Sequence, residues 1–326
     1  MIAFVLNGGG NRGSLQVGAL QVLLEHGIQP SMLVGSSVGA INGAFLALNP
    51  HQDAALQLAE IWKRVDKKRV FQGNRLTVLW RFLTGKDSMY RNDDLRHLIE
   101  ENLPSKAVCF ADLEGIRLYI VATRLDTGEA RIFGEDPEER LLDALMASTA
   151  LPPFFPPWSC GQELLVDGGI AADLPVTIAL ARGATEVYAL HLVDAPPHGK
   201  QIHGLLRIAE QSIKHILSRQ LEAELQESAG TDGVRLHYIP LTGFYGLPLW
   251  DLSQAPEMIE EGRRQTEAYL ETSQAVTRTE RLRSLGQDLK ARLKTAVRRL
   301  QGNPARKRGG LDEKMNPHSG TFGVRS

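Results

Sequence analysis

The sequence predicts an α/β protein whose central sheet is mainly parallel. Two strand–helix units follow one another at the start: an apolar run over 2–6 precedes a helical pattern over 14–26, and residues 32–34 precede a small-residue helix over 40–48. Short buried strands that alternate with helices are typical of parallel sheets. A third observation is that a glycine-rich turn occupies both strand–helix junctions, where chemistry in this fold class is usually found.

The later elements continue this pattern with one antiparallel insertion. Two apolar runs over 118–123 and 130–133 flank the turn Asp126-Thr127-Gly128, which predicts a hairpin. Further strands are expected over 164–166, 186–193 and 235–240, and helices in the stretch 54–103 and over 141–148, 175–182, 203–228 and 256–273. We therefore expect one folded domain over residues 1–277.

Composition narrows the class of protein. Hydrophobic residues make up 43% of the 326 residues and charged residues 23%, as in an ordinary globular protein. There is no apolar run long enough to span a membrane and no signal-like start, so we expect no transmembrane helix, no signal peptide and a cytoplasmic location. The two cysteines and nine histidines show no metal-ligand spacing, and we expect no metal site.

Charge is distributed unevenly along the chain. Residues 278–308 hold 11 basic and 2 acidic residues, whereas the net charge of the whole chain is −1. Leucines and a valine recur at three- and four-residue steps over 278–301, which predicts a basic amphipathic helix suited to peripheral contact with an anionic membrane. Docking on the acidic body, self-association and nonspecific nucleic-acid affinity are alternatives, and no specific nucleic acid is expected. Residues 302–326 are expected to be disordered.

The second glycine-rich turn, Gly35-Ser36-Ser37-Val38-Gly39, has the form G-x-S-x-G between a strand and a helix. Small residues on both sides let the chain turn sharply and expose the central serine at the helix N-terminus. In this context the pattern favours Ser37 as a nucleophile over a loop that is merely small and polar.

The first turn, Gly8-Gly-Gly-Asn-Arg-Gly13, fits the dinucleotide pattern G-x-G-x-x-G. A dinucleotide fold also needs an acidic residue about 20 positions later, but Leu33 and Val34 lie there, and no Gly-Lys-Ser/Thr follows for a phosphate loop. Exposed N–H groups at a helix N-terminus can instead stabilise an oxyanion. A nucleotide-binding module that uses Gly8–Gly13 remains the alternative.

Three residues are candidates for the base that a serine nucleophile requires. His191 and His237 follow Ser37 in the chain and could complete a triad, although strand histidines more often pack or hydrogen-bond near the core. Asp167 ends a strand before Gly168 and Gly169, so a tight turn should present its carboxylate. A desolvated carboxylate can act as a base without imidazole, and the alternative for Asp167 is a simple turn aspartate.

Together these motifs resemble the three signatures of the patatin-like phospholipase family, and the resemblance runs from residue 2 to about 195. Residues 122–123, 127–129 and 147–152 add to the match. The resemblance implies a three-layer α/β/α fold without metal or cofactor. It also implies a Ser37–Asp167 dyad, an oxyanion hole at Gly8, Gly9 and Gly10 with Arg12 nearby, and motif roles for Gly13, Gly35, Gly39, Gly168 and Gly169.

The function expected from this resemblance is hydrolysis of a lipid or other acyl ester through an acyl-enzyme, as in a phospholipase A or a lysophospholipase. Apolar residues interleaved with arginines over 70–86 could cap an acyl-chain cleft or form an ordinary buried helix. A lipid-binding protein without catalysis is a further alternative.

Overall fold

A computed structural model describes residues 1–65, 84, 87–193, 221, 233–249 and 251–273. In these ranges eight strands form one sheet. The strands are β1 (Ile2–Leu6), β2 (Met32–Ser36), β3 (Arg117–Arg124), β4 (Ala130–Phe133), β5 (Trp158–Cys160), β6 (Glu163–Asp167), β7 (Glu186–Leu192) and β8 (Arg235–Leu241).

The described helices lie between and after these strands. They are α1 (Gly13–Glu25), α2 (Val38–Leu48), α3 (Ala54–Arg64), α4 (Asp93–Asn102), α5 (Leu141–Ser148), α6 (Val176–Ala181) and α7 (255–273). None of the helices in the described ranges is both long enough and apolar enough to cross a membrane. Met1–Leu270 forms one compact unit.

The order of strands in the sheet is β5-β6-β3-β2-β1-β7-β8, with β4 paired to β3. Five neighbouring strands, β3, β2, β1, β7 and β8, run parallel, whereas β4, β5 and β6 are antiparallel to their partners. The prediction of a mainly parallel sheet is therefore confirmed.

Two strands share one edge of β3. β2 pairs with 117–121 and β6 pairs antiparallel with 122–124, while β4 pairs with 120–123. Because β4 overlaps both of the other pairings, it must occupy the opposite edge, and β2 and β6 meet end to end along the same edge. Ser36 is paired with Val121 and Asp167 with Ala122, so the ends of β2 and β6 lie one residue apart on β3.

Helices cover both faces of the sheet. Side chains of a strand alternate between faces, and in β1 Phe4 and Leu6 belong to a core with α1–α5 and α7, whereas Ala3 and Val5 belong to a second core with α6. The three-layer α/β/α arrangement is confirmed. Its first layer contains α1–α5 and α7, which include the helices that surround the site described below.

α1 packs against α7 through two glycines. A Cβ added at Gly18 would lie 1.9 Å from the carbonyl oxygen of Ile259, and one added at Gly262 would lie 2.0 Å from that of Leu15. Both distances are far below any real Cβ contact, so the two helices are in backbone contact. α1 is buried along almost its whole length, as a central helix should be.

Most sequence-predicted elements in the described ranges are confirmed within one or two residues, and one strand adds to them. β5 was not predicted: Trp158-Ser-Cys160 is too short to show a pattern, and it becomes a strand by pairing with β6. The expected helix over 203–228, the apolar stretch over 70–86, the basic helix over 278–301 and the tail over 302–326 lie outside the described residues, apart from residues 84 and 221.

Candidate active site

Ser37 occupies the turn between β2 and α2. Its backbone has φ 53° and ψ −127°, and Val38 is the first residue of α2. Residues other than glycine rarely adopt such a φ, which costs roughly 1–3 kcal/mol and persists only where the surroundings impose it. The Ser37 N–H donates to Ser148 Oγ at 2.8 Å, and Ser148 Oγ donates to the Val121 carbonyl at 2.6 Å. This chain of bonds fixes the turn to β3.

The two glycines of the G-x-S-x-G motif are required by space. A Cβ at Gly35 would lie 2.7 Å from the backbone nitrogen of Ala40, and one at Gly39 would lie 2.4 Å from the Leu6 carbonyl oxygen. The strand can therefore turn into the helix at this angle only with glycine at both positions.

The first glycine-rich turn lies directly against Ser37. A Cβ at Gly8 would be 2.9 Å from Cβ of Ser37 and 3.4 Å from its Oγ, and one at Gly9 would be 2.6 Å from Cδ1 of Leu192. Gly10 has a φ of 59°, and Gly13 lies against Val38.

The backbone of this loop is only partly hydrogen-bonded. The Arg12 N–H donates to the Gly9 carbonyl at 3.3 Å, and the Asn11 N–H donates to Leu249 at 3.1 Å. Within the described ranges, no acceptor pairs with the N–H of Gly8 or Gly9. The Arg12 side chain is buried, and the residue lines the same cavity as Ser37.

A network of buried polar side chains holds the backbone that leads into the Gly8–Gly13 loop. Trp62 Nε1 donates to Asn42 Oδ1 at 3.0 Å, and Asn42 Nδ2 donates to Gln16 Oε1 at 3.0 Å. Gln16 Nε2 donates to the Asn7 carbonyl at 3.0 Å, and Asn7 Oδ1 accepts from the Leu192 N–H at 2.7 Å. Buried polar groups that are satisfied in this way make a backbone rigid.

Asp167 ends β6 and is almost fully buried, with 3% of its surface exposed. Its Oδ1 accepts from the Gly169 N–H at 2.9 Å, and Thr123 Oγ1 donates to its carbonyl at 2.8 Å. A Cβ at Gly168 would lie 2.0 Å from the Val121 carbonyl oxygen, so the turn after Asp167 also requires glycine.

Burial raises the pKa of Asp167 to about 6. Ser37 and the Gly169 N–H lower the pKa of this carboxyl, and the negative charge of Asp173 raises it. The Ser37 hydroxyl is thus close enough to act on the carboxylate, yet Oδ2 is buried without a well-formed hydrogen bond to any described residue. A lone pair of this oxygen is therefore available to accept a proton.

Ser37 and Asp167 open into one cavity of about 740 Å³. Gly8, Gly9, Gly10 and Arg12 line it as well. Away from these residues the wall is mostly apolar and comes from the first helical layer, with Ile41, Phe45, Leu48, Leu58, Ile61, Trp62, Leu95, Leu98, Ile99 and Leu145. A cavity of this size and composition fits a long apolar ligand with one polar end.

The two candidate histidines lie in different places. His191 lines the cavity, but its ring contacts Asp173 (Nε2 to Oδ2, 3.5 Å) and Tyr238 (Nδ1 to the hydroxyl, 2.7 Å). His237 lies outside the cavity lining, where it stacks on Tyr188 at 4.3 Å and contacts Glu186 at 3.2 Å. No hydrogen bond between Ser37 and either ring occurs among the described residues.

Sequence reasoning missed two features of the site. Ser148 holds the Ser37 turn from the end of α5, and its only sequence signal was that it lies within a segment, 147–152, that resembled the family. Asp173 shares the cavity with Ser37, but it follows Asp167 without any motif of its own.

Comparison with known proteins identifies the family. The family model described as patatin-like phospholipase matches residues 4–180, which is more than half of the chain. The chain belongs to the patatin-like phospholipase family. The matched range contains all three glycine-rich motifs, including Ser37 and Asp167.

Curated relatives are similar over little more than half of this chain. The patatin-like phospholipase domain-containing protein ZK370.4 of Caenorhabditis elegans is 30% identical to this chain over 198 residues. The aligned region covers 58% of this chain and 13% of that protein. The lysophospholipase NTE1 of Saccharomyces cerevisiae is 28% identical over 198 residues, or 60% of the chain and 11% of that protein. The chain thus spans only a small part of the length of these relatives.

A solved structure of VipD from Legionella pneumophila is also similar, with a TM-score of 0.46 and 16% identity over 83% of the chain and 66% of VipD.

Proposed function

We propose that the protein is a lipid acyl hydrolase in which Ser37 is the nucleophile and Asp167 the base. One observation carries the proposal: the strained turn at Ser37 lies beside a buried carboxylate and against the glycine loop, all in one largely apolar cavity. Nucleophile, base and backbone donors are the three parts that acyl transfer requires.

Asp167 acts first as a general base. A serine hydroxyl attacks poorly until its proton is taken, and a carboxylate whose pKa has been raised to about 6 accepts a proton better than an exposed one. Ser37 Oγ forms a bond to the ester carbonyl carbon as its proton moves to Asp167 Oδ2, the oxygen without a well-formed hydrogen bond to a described residue. Asp167 then returns this proton to the departing alcohol.

The glycine loop stabilises the charge that develops on the carbonyl oxygen. The N–H groups of Gly8 and Gly9 have no acceptor among the described residues, and Gly8 lies against Ser37. Removal of one such donor costs about 3 kcal/mol in other acyl-transfer enzymes. The Arg12 N–H is bonded to Gly9, so the Arg12 contribution to this site is through its buried side chain.

Water completes the reaction. With the alcohol gone, Asp167 takes a proton from a water molecule, which attacks the acyl-enzyme and releases the fatty acid while Ser37 recovers its proton. The apolar wall formed by α2–α5 holds the acyl chain during both steps. Relatives named lysophospholipase support lysophospholipids or related single-chain esters as the substrate class.

The test is to label the intact protein with a fluorophosphonate and to map the modified residue by mass spectrometry. We expect label at Ser37 and none in Ser37→Ala. Ser36→Ala is the matched control, because Ser36 donates to the Asp173 carbonyl at 3.2 Å and does not line the cavity. Label on another residue, or ester hydrolysis by Ser37→Ala at more than a few percent of the normal rate, would contradict the proposal.

Asp167→Asn separates the dyad from a histidine-based triad. We expect loss of hydrolysis in Asp167→Asn, and activity near normal in His237→Gln, since His237 lies outside the cavity lining. An active Asp167→Asn variant would show that another base is used.

A further inference from the structure

Asp173 and His191 form a second polar pair on the wall of the active-site cavity. Asp173 lies in the loop before α6, and His191 lies in β7 one residue before its end. Asp173 Oδ2 and His191 Nε2 are 3.5 Å apart, and both residues line the cavity that contains Ser37 and Asp167. The proposed mechanism does not use either of them.

This pair enters the cavity from a different layer than the apolar wall does. In β7, Leu190 and Leu192 face the first helical layer, so His191 between them faces the second. Asp173 is flanked by Ala172 and Leu174 of the second core. The cavity therefore has an apolar end built from α2–α5 and a polar end built from the other side of the sheet.

His191 makes a short hydrogen bond to Tyr238, whereas the side-chain contacts of Asp173 are long. Tyr238 hydroxyl holds His191 Nδ1 at 2.7 Å. Asp173 Oδ1 accepts from Asn7 Nδ2 at 3.4 Å, and its Oδ2 is 3.5 Å from His191. Charge-assisted bonds to a carboxylate normally measure about 2.7–2.9 Å, so both oxygens can still accept a closer donor.

The position of the pair relative to the nucleophile is fixed. Ser36, the residue before Ser37, donates its hydroxyl to the Asp173 carbonyl at 3.2 Å. The charge of Asp173 also acts on Asp167. A group bound between Asp173 and His191 would therefore be held close to the ester bond that Ser37 attacks.

We propose that Asp173 and His191 form a binding subsite for a free hydroxyl group on the leaving alcohol of the ester. This rests on the proposed function, because an acyl chain in the apolar end directs the alcohol portion to the polar end. In the tautomer whose Nδ1 accepts from the Tyr238 hydroxyl, Nε2–H is a donor, and one ligand hydroxyl can accept from it while donating to Asp173 Oδ2. The substrate class is then an ester of glycerol or a similar polyol that keeps a free hydroxyl.

Other head-group chemistries fit the pair less well. An ammonium group can only donate hydrogen bonds, so it would leave the Nε2–H donor without an acceptor. A phosphate placed between the two residues would be repelled by the Asp173 carboxylate. A hydroxyl group matches one donor and one acceptor at this spacing.

The first test measures hydrolysis of two esters with the same acyl chain, a 1-monoacylglycerol and the methyl ester, at pH 8 where Asp167 is ionised. We expect the ratio of kcat/KM for glyceryl to methyl ester to fall at least tenfold in Asp173→Asn and in His191→Gln. His237→Gln is the matched control, since His237 is also a strand histidine beside a carboxylate but lies outside the cavity lining. An unchanged ratio in both subsite variants, checked for normal thermal unfolding, would overturn the proposal.

The second test does not depend on hydrolysis. Binding of a 1-O-alkylglycerol, which has no ester bond, is compared by titration calorimetry with that of the alkyl methyl ether of the same chain length. The intact protein should bind the glycerol ether at least tenfold more tightly, and Asp173→Asn should lose this preference. If the preference persists while neither ester is cleaved, the proposed function fails and the subsite stands. If both ethers bind equally, or an alkyl ether of ethanolamine binds more tightly than the glycerol ether, the hydroxyl subsite is wrong.

Discussion

In the proposed mechanism, Asp167 is the residue that takes up and returns the proton of Ser37. Asp167 is 3% exposed, one carboxylate oxygen is bonded to the Gly169 N–H, and the other is buried without a well-formed hydrogen bond to a described residue. Desolvation is the largest cause of its raised pKa. A protonated carboxyl cannot act as a base, so the rate of hydrolysis should fall as the pH is lowered.

The pH dependence of hydrolysis should reflect this pKa. Below pH 6 most Asp167 carboxyls are protonated and cannot accept the Ser37 proton, so we expect kcat/KM to fall about tenfold per pH unit there and to level off above pH 7. The measurement is a pH–rate profile with an uncharged ester. A profile that stays flat down to pH 4.5 would show that Asp167 does not act as the base.

The ionised form of Asp167 is needed for catalysis, whereas its protonated form should make the folded protein more stable. A carboxyl whose folded-state pKa is raised from 3.8 to about 6 favours the folded state when protonated, so its stabilising effect is complete below pH 3.8 and is lost as pH rises through 6. We expect Asp167→Asn to stabilise the protein at pH 8 by up to about 3 kcal/mol, and by little near pH 4. Thermal unfolding at both pH values measures this.

The control for the stability experiment is Glu138→Gln, which changes an exposed carboxylate. Its effect on unfolding should be the same at both pH values and within about 0.5 kcal/mol. An Asp167→Asn variant less stable than the original protein at pH 8 would mean that the carboxylate is better satisfied than its lack of a second partner indicates.

Among the helices, α1 and α7 depend most on the absence of side chains. Gly262→Ala would put a methyl group 2.0 Å from the Leu15 carbonyl oxygen, so the helices must separate. We expect a loss of more than 3 kcal/mol of unfolding free energy, which is the range of severe overpacking. Chemical denaturation measures it.

Gly43→Ala is the matched control, because it also replaces a glycine within a helix. Its added methyl group would meet only ordinary contacts, the nearest being Leu118 Cδ1 at 3.6 Å. Alanine is a better helix former than glycine by about 1 kcal/mol, so this variant should be neutral or stabilised. Equal effects of the two substitutions would refute backbone contact as the reason for glycine at 262.

The same contrast explains how far sequence alone could go. A strand-to-helix turn is predicted by Gly35, Ser37 and Gly39, and the structure has that turn. The prediction is possible because the contacts that require glycine are made within or next to the turn itself. Gly18 and Gly262 carried no signal, because each is required by a helix more than 240 residues away. β5 exists only through its pairing with β6, so its own three residues could not predict it.

The candidate site divides along the same line. Ser37, Asp167 and the glycine loop lie in local motifs, so the sequence alone predicts them. Ser148, Asn42 and Gln16 act on the site through contacts between distant segments, which a pattern along the chain cannot encode. The pairing of His191 with Asp173 is of this second kind.

For the whole molecule, the uneven charge leads to a prediction about membranes. Residues 278–308 carry 11 basic residues, and each can contribute about 1 kcal/mol near an anionic surface before screening. We expect the full chain to co-sediment with vesicles of anionic lipid at least tenfold more strongly than a chain that ends at Thr277. Raising the salt concentration should weaken the binding.

Vesicles of zwitterionic lipid are the control, and both chains should bind them weakly and equally. Equal binding of the two chains to anionic vesicles would show that the basic segment serves another purpose, such as docking on the acidic remainder of the chain or self-association.

Because β2 and β6 share one edge of β3, part of the chain between these strands can change in length without moving Ser37 away from Asp167. Ser37 and Asp167 are 130 positions apart, yet the spacing between them is set by two consecutive rungs of β3, at Val121 and Ala122. β3 therefore sets this distance, together with Ser148, which bonds the Ser37 turn to Val121. Insertions or deletions in the connection between 49 and 116 should leave that distance intact. A slip of one rung in β6 would turn the carboxylate to the opposite face of the sheet and separate the pair.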